Sequence, residues 1–512
     1  MAKCIMVQGT MSGAGKSLLV TALCRIFRQD GLRVAPFKSQ NMALNSCVTP
    51  DGLEIGRAQA AQAEAAGREC DVRMNPILLK PSSDTGSQLI VMGEVRGHYD
   101  ARDYFRMKRS LIPEILAAYR GLAAENDVIV IEGAGSPAEI NLREDDIVNM
   151  GLAELVNAPV LLAGDIDRGG VFAQLYGTVA LLRPEEKARV VGTVINKFRG
   201  DVELLRPGLR QLEELTGVPV LGVVPWLNTD LDDEDSLAPR LSRERKERVL
   251  DIAVIRLPHI SNFTDFSALE SHPALGVRYV SRAERLGEPD LLILPGTKNT
   301  MGDLLWLKES GMAQSVTDAA ARGTPVLGVC GGYQMLGRTL SDPDGVEQQG
   351  SLPGLGLLPC RTVFTGGKTR TRRQAVCTAE LMPGTRLQGY EIHMGRTDTG
   401  TAVPFCRFDD GSTDGAACGN VFGTYLHGLF DSGEAVKKLA EGLATRRGIS
   451  IPHGRIEERA SYRNRQYDLL ADAVRAGLDM EKVYEAMERF SAAGQTAEGA
   501  QPGRNRTEER EP

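Results

Sequence analysis

Short apolar runs recur along the chain, most of them closed by a glycine, a lysine or an acid. In the first half they occupy 4–8, 32–37, 127–131, 158–163, 190–195 and 218–225. Val128-Ile129-Val130-Ile131 is β-branched throughout, the pattern of a strand buried on both faces of a parallel sheet. Stretches with helical character, such as 18–23 and 202–216, alternate with these runs. Strand and helix in alternation predict a doubly wound α/β unit. The pattern begins again at 250–255, continues at 291–294 and 324–327, and includes a strand over 423–427 that ends in histidine.

The breaks in this pattern divide the chain. Residues 1–230 form one expected unit and 250–445 a second. Between them, 231–249 carries an acidic run and then a mixed charged run, which reads as a solvated linker. Tyr467, Leu470, Ala471 and Val474 recur at helical spacing, so 446–490 is expected to be a helical segment packing on the second unit. Residues 491–512 hold no Leu, Ile, Val or aromatic residue and are expected to be disordered.

A chain of 512 residues is long enough for two or three domains, and 42% hydrophobic with 25% charged residues is ordinary globular material. The net charge of -7 and an aromatic content of 5% argue against a nucleic-acid partner. No apolar run is long enough to span a membrane, so no membrane partner is expected. Nine cysteines without C-x-x-C pairs suit a reducing compartment rather than a zinc or disulfide framework. With Met1-Ala2-Lys3 leading straight into a strand, a cytoplasmic location is expected. The oligomeric state is not legible.

The chemistry begins at the first strand. Gly9-Thr10-Met11-Ser12-Gly13-Ala14-Gly15-Lys16-Ser17 separates it from an apolar helix, the context of a phosphate-binding P-loop. Gly13 and Gly15 would let backbone N–H groups cradle phosphates, Lys16 would reach the terminal ones, and the Ser17 hydroxyl would sit on magnesium. Thr10 stands where the usual loop has its first glycine; this variant resembles the loop of dethiobiotin synthetase. Glu132 emerges at the end of the β-branched strand, a Walker-B-like place for a carboxylate on Mg2+. Lys38, at the end of the second strand, faces the ligand crevice of such a sheet and could neutralise a phosphoryl group or a substrate carboxylate. Asn196 and Lys197 end a later strand on the same side and are candidates for adenine recognition.

In the second half, Gly328-Val329-Cys330-Gly331-Gly332 lies between a short apolar strand and a helix. This is a G-x-C-x-G elbow, which lifts a nucleophile onto a sharp turn. The N–H of Gly331 and that of Gly296, which follows the 291–294 strand, are candidate oxyanion donors. Only six histidines exist, and His427 is the candidate base for the Cys330 thiol. His393 is the competitor, with a substrate or structural role.

These motifs together resemble the cobyric acid synthase family. The resemblance extends through Lys38-Ser39-Gln40-Asn41-Met42-Ala43, Ile195-Asn196-Lys197-Phe198-Arg199-Gly200, Ser261-Asn262-Phe263-Thr264-Asp265 and Tyr390-Glu391-Ile392-His393-Met394-Gly395, and covers nearly the whole chain. It implies a dethiobiotin-synthetase-like P-loop NTPase domain, built on a parallel sheet, followed by a class I glutamine amidotransferase-like α/β domain. It implies ATP, Mg2+, L-glutamine and a corrinoid substrate, with amidation of the b, d, e and g carboxylates of adenosylcobyrinic acid a,c-diamide. It implies Cys330 as nucleophile and His427 as its base. Amidotransferases of this class usually carry His-x-Glu, and Leu429 occupies the glutamate position here. What orients His427 is therefore open. The alternatives are an amidoligase like cobyrinic acid a,c-diamide synthase, or a partition-type regulatory ATPase with a degenerate amidotransferase module.

Overall fold

The computed structural model describes residues 2–81, 86–227, 231, 248–451 and 459–499. The first half is built on a six-stranded parallel sheet in the order Val220–Pro225, Val190–Phe198, Val160–Asp165, Lys3–Gly9, Val128–Glu132, Val34–Phe37. Lys3–Gly9 is central, with the strands on its two sides wound in opposite directions. That places the P-loop at the point where the strand order reverses, where open α/β sheets bind ligands. The strands are almost wholly buried because helices cover both faces, which is why their sequences read as continuous apolar runs. The helix expected over 202–216 is shorter: a single 3-10 turn, Val202–Leu204, precedes the α-helix Arg206–Thr216, which starts with Pro207 in its first turn.

The second half repeats the plan. Leu275–Val280, Leu250–Ile255, Leu291–Leu294, Val326–Val329 and Val421–Thr424 run parallel, and Ala416–Cys418 closes the edge antiparallel. The strand expected over 423–427 is two strands. Val421–Thr424 lies in the parallel sheet, and Leu426–His427 crosses to a separate antiparallel sheet, where it pairs with Tyr390 and Glu391.

The halves are joined through a small sheet inserted in the first, Gln40–Met42, Ile77–Pro81, Gly86–Val91 and Glu94–Asp100, with the ribbon Ser46–Val48 and Glu54–Gly56 beside it. This insertion meets the strands Thr369–Cys377 and Arg386–His393 of the second half. Arg372 donates to the Val48 carbonyl at 3.0 Å, and Lys298 donates to Gln88 at 3.0 Å. Glu54 is fully buried between Lys80, at 2.6 Å, and Lys368 from the second half. Burial alone would raise the Glu54 pKa, but the two lysines hold it far below the usual carboxylate range.

Two expectations for the C-terminal region are corrected. Helix Arg459–Gly477, which carries Tyr467, Leu470, Ala471 and Val474, packs its apolar face on the first half and meets the second at its start, through the Arg459–Asp431 ion pair at 2.9 Å. Its apolar stripe joins Leu19, Val20 and Leu23 of helix Lys16–Gln29 in one core, and Arg25 forms a two-point ion pair with Asp468, at 2.7 and 3.0 Å. Periodicity shows that a helix has an apolar face but not which partner covers it. The approach is close enough to need glycine: a Cβ on Gly222 would lie 2.2 Å from the Gly477 carbonyl oxygen. In the expected disordered tail, the helix Met480–Gly499 continues through 491–499, sustained by helix-forming Ala and Glu. Residues 500–512, and all of 231–249 except Leu231, Arg248 and Val249, lie outside the described residues.

Leu470 is 1% exposed, so Leu470→Ala should destabilise the first half by about 2–5 kcal/mol. Denaturant unfolding followed at Trp226, which lines a small cavity with Leu470, reads this directly. Unchanged stability would contradict the packing of this helix on the first half.

Candidate active sites

Cys330 sits where strand Val326–Val329 turns into helix Gly331–Leu336, at φ 52° and ψ −109°. A non-glycine residue there stores strain of about 1–3 kcal/mol, held by its surroundings. Its own N–H donates to the Thr424 carbonyl at 2.8 Å, and its carbonyl accepts the Gln334 N–H at 3.0 Å. The flanking glycines are required by close approach: a Cβ on Gly332 would lie 2.0 Å from the Leu294 carbonyl oxygen.

His427 is carried to this elbow by the switch of sheets after Tyr425. It is buried, and its Nδ1 donates to Asp265 Oδ2 at 2.7 Å. The other Asp265 oxygen accepts the Gly428 N–H at 3.1 Å. With Nδ1 engaged, Nε2 is left to serve Cys330, which lines the same cavity as the imidazole and whose Sγ donates to the Ile392 carbonyl at 3.7 Å. Burial would lower the His427 pKa; Asp265 first, then Cys330, overcome this and raise it to about 10. The stability contributed by this pair is complete below the unfolded value of 6.5 and lost as pH rises through about 10. The ring of Tyr390 stacks on the imidazole, with centroids 5.5 Å apart.

Asp265 is the residue that sequence reasoning missed. It lies 162 positions from His427, in the 3-10 turn Phe263–Phe266, rather than two residues beyond it. The string 261–265 was visible, but nothing in its spacing connects it to a histidine so far along the chain.

Gly296 lies against the imidazole, since a Cβ there would be 3.1 Å from His427 Cε1. Gly331 faces Thr297, the next residue, with a Cβ position 2.7 Å from the threonine methyl. The structure thus brings both oxyanion candidates to the elbow. Cys330 and His427 open into a cavity of about 400 Å³, lined also by Lys298, Glu347, His393 and, from the first half, Lys80. His393 stacks on Tyr425 at 3.7 Å and donates from Nδ1 to the Gly395 carbonyl at 3.0 Å. It is a wall of the cavity, not a partner of the Asp265–His427 pair.

The P-loop residues also gather. Gly13 and Gly15 are left-handed, at φ 77° and 91°. Lys16 Nζ lies 3.1 Å from the Met11 and Gly135 carbonyls, over the loop it would neutralise. Glu132 collects three side chains: Ser17 and Lys38 donate to Oε1 at 2.9 and 2.8 Å, and Gln62 donates to Oε2 at 2.5 Å. Lys38 is therefore a buried partner of Glu132 rather than a solvated surface lysine. Asn196 donates to the Ala14 carbonyl at 2.8 Å, and Lys197 to that of Gly13 at 2.6 Å, so both brace the P-loop. They also line a small cavity with Leu18, Trp226, Leu470 and Val474.

This arrangement is that of a glutamine amidotransferase joined to a P-loop nucleotide-binding unit. The comparisons with known proteins agree. Residues 5–236 match the CobQ/CobB/MinD/ParA nucleotide binding domain and 251–435 the CobB/CobQ-like glutamine amidotransferase domain. The chain is 53% identical to the cobyric acid synthase of Ruminiclostridium cellulolyticum, covering 99% of each protein. It is 53% identical to that of Lachnoclostridium phytofermentans, over 95% of this chain and 99% of the relative. For Klebsiella pneumoniae the identity is 55%, over 94% and 98%. The chain belongs to the cobyric acid synthase family, enzymes of glutamine-dependent amidation. Among the described residues no helix is long and apolar enough to cross a membrane.

Asp265→Asn keeps the shape but can present an N–H to Nδ1 and so favour the wrong tautomer. It should lower the rate of glutamate release from glutamine by about 10²- to 10⁴-fold. A steady-state assay of glutamate production checks this, and a loss under about fivefold would show that Asp265 does not orient the base.

Proposed function

We propose that this protein amidates the b, d, e and g carboxylates of adenosylcobyrinic acid a,c-diamide, using ATP and ammonia released from L-glutamine. The observation that carries the reading is the Cys330–His427–Asp265 constellation in the same chain as a P-loop whose Ser17 hydrogen-bonds to Glu132. In the second half, His427 already holds the proton given up by Cys330, and the sulfur attacks the glutamine carboxamide carbon. The N–H groups of Gly296 and Gly331 hold the oxyanion. His427, held protonated by Asp265, returns the proton to the leaving nitrogen, and ammonia departs. Water then hydrolyses the thioester to glutamate. Burial pushes the Lys298 pKa down and the Glu347 pKa up, and the α-carboxylate and α-ammonium of an amino acid in this cavity would favour the charged form of each.

In the first half, Gly13, Gly15 and Lys16 hold the ATP phosphates, and Lys38 neutralises charge on the transferring phosphoryl group or the acceptor carboxylate. The carboxylate becomes an acyl phosphate, because oxide is a poor leaving group and phosphate a good one. Ammonia attacks it and the amide forms. In this reading Asn196 and Lys197, which line the Trp226 cavity, contact the adenine.

The residues present fit a magnesium ion. Ser17 and Glu132 offer hard oxygen donors side by side, and Gln62 Oε1 is buried beside them without a hydrogen-bond partner. When bound, the ion would supply charge neutralisation on the phosphates.

Cys330→Ala should abolish glutamine-supported amidation and retain amidation supported by ammonium salts. Lys16→Ala should fail with either nitrogen source. Mass spectrometry of the a,c-diamide after incubation with ATP, magnesium and the nitrogen source reads both, each amide appearing as a loss of about one dalton. Loss of ammonium-supported product in Cys330→Ala, or its persistence in Lys16→Ala, would contradict the division of labour.

A further inference from the structure

Asn45 and Ser46, from the nucleotide-binding half, hydrogen-bond to Asn262, which begins the turn that carries Asp265, and to Tyr390, which stacks on His427. Asn45 Oδ1 accepts the N–H of Asn262 at 2.7 Å, and Asn262 Oδ1 accepts the N–H of Ser46 at 3.1 Å. This reciprocal pair fixes Asn262 in a left-handed conformation, φ 52° and ψ 33°, which asparagine tolerates better than most residues. The Asn262 carbonyl in turn accepts the N–H of Asp265 at 3.0 Å, so the clasp sets the turn that presents Asp265. Asn262 Nδ2 itself lies 3.5 Å from His427 Nδ1. The second support is Tyr390, stacked on the imidazole, whose hydroxyl donates to the Ser46 carbonyl at 3.0 Å. Asn45, Ser46, Asn262 and Asp265 are all buried.

The same segment is tied to the nucleotide site. The Asn45 carbonyl accepts the N–H of Arg57, the first residue of helix Arg57–Ala65, at 3.1 Å. Five residues on, about 7.5 Å along the axis, Gln62 donates to Glu132. One short helix and one loop therefore connect the Glu132 carboxylate to the turn that carries Asp265. Small displacements carry through buried, hydrogen-bonded elements of this kind because packed interiors do not deform continuously. If Glu132 turns away from Gln62 toward a ligand, helix Arg57–Ala65 loses one of its anchors at that end, where Arg463 and Tyr467 still hold Glu64 at 3.1 and 3.3 Å.

We propose that Asn45 is a positioning residue for His427, acting through Asn262 and Asp265, and that it makes glutamine hydrolysis depend on the state of the nucleotide site. The proposal rests on the two-site reading above and adds the route between the sites. Its consequence is that the rate of ammonia release changes when the nucleotide half is loaded.

The test is Asn45→Ala in the full-length protein, with glutamate release and amide formation measured separately. The expected result is a fall of about 10- to 100-fold in kcat for glutamate release. KM for glutamine should move by less than about threefold, and ammonium-supported amidation should stay within about twofold. The ratio of glutamate release with and without ATP and magnesium should differ from one in the unaltered protein and return to one in the variant. That ratio does not depend on the fraction folded, so it decides even if the variant folds poorly. A wild-type ratio in Asn45→Ala, a ratio of one in the unaltered protein, or a variant that releases glutamate at the full rate would each overturn the proposal. An unaltered protein that released no glutamate at all would remove the two-site reading, and this proposal with it.

Discussion

The hydrogen bond from His427 to Asp265 is the interaction on which the second half depends. Taken out of water without a partner, an imidazolium is disfavoured, and the histidine would be neutral and free to turn. Asp265 reverses both effects, fixing the ring through Nδ1 at 2.7 Å and raising its pKa to about 10. The remaining geometry follows from serving this pair. The chain leaves the parallel sheet after Thr424 so that His427 reaches the cysteine elbow, and Gly296 leaves room for the ring. A strained cysteine opposite a loosely held base would gain little from its elbow.

The interface between the halves is polar and buried, and that has a physical consequence. Glu54, enclosed by Lys80 and Lys368, is satisfied only when both halves contribute. Breaking such a pair leaves an uncompensated buried charge, which disfavours placements of the halves that part Glu54 from Lys368. The cavity at Cys330 is completed by Lys80 from the other half, so the site proposed to free ammonia faces the half proposed to use it. Ammonia is reactive only while unprotonated, which makes a site assembled at the boundary more useful than two separate sites.

Much of this was legible in the sequence. The P-loop, the elbow at Cys330 and the acid at the end of the β-branched strand each sit in a local strand–turn–helix context, and local context survives folding. The continuous apolar runs gave the parallel sheets for the same reason. What escaped was set by contacts between distant segments. Asp265 replaces the missing His-x-Glu acid from a turn far earlier in the chain. The helix around Leu470 covers the P-loop helix instead of the neighbouring domain, because Leu19 and Val20 offer an apolar face that periodicity alone cannot match to a partner. The strand ending in His427 divides between two sheets at Tyr425, and no residue there marks the change.

The account stands on a histidine that is charged at neutral pH because an aspartate is buried against it. Nitrogen-15 NMR of the His427 imidazole, followed through a pH titration of the intact protein, tests this most directly. The account predicts that the ring stays doubly protonated at pH 8 and titrates near 10. A neutral ring at pH 8, titrating near the ordinary value of about 6.5, would contradict it.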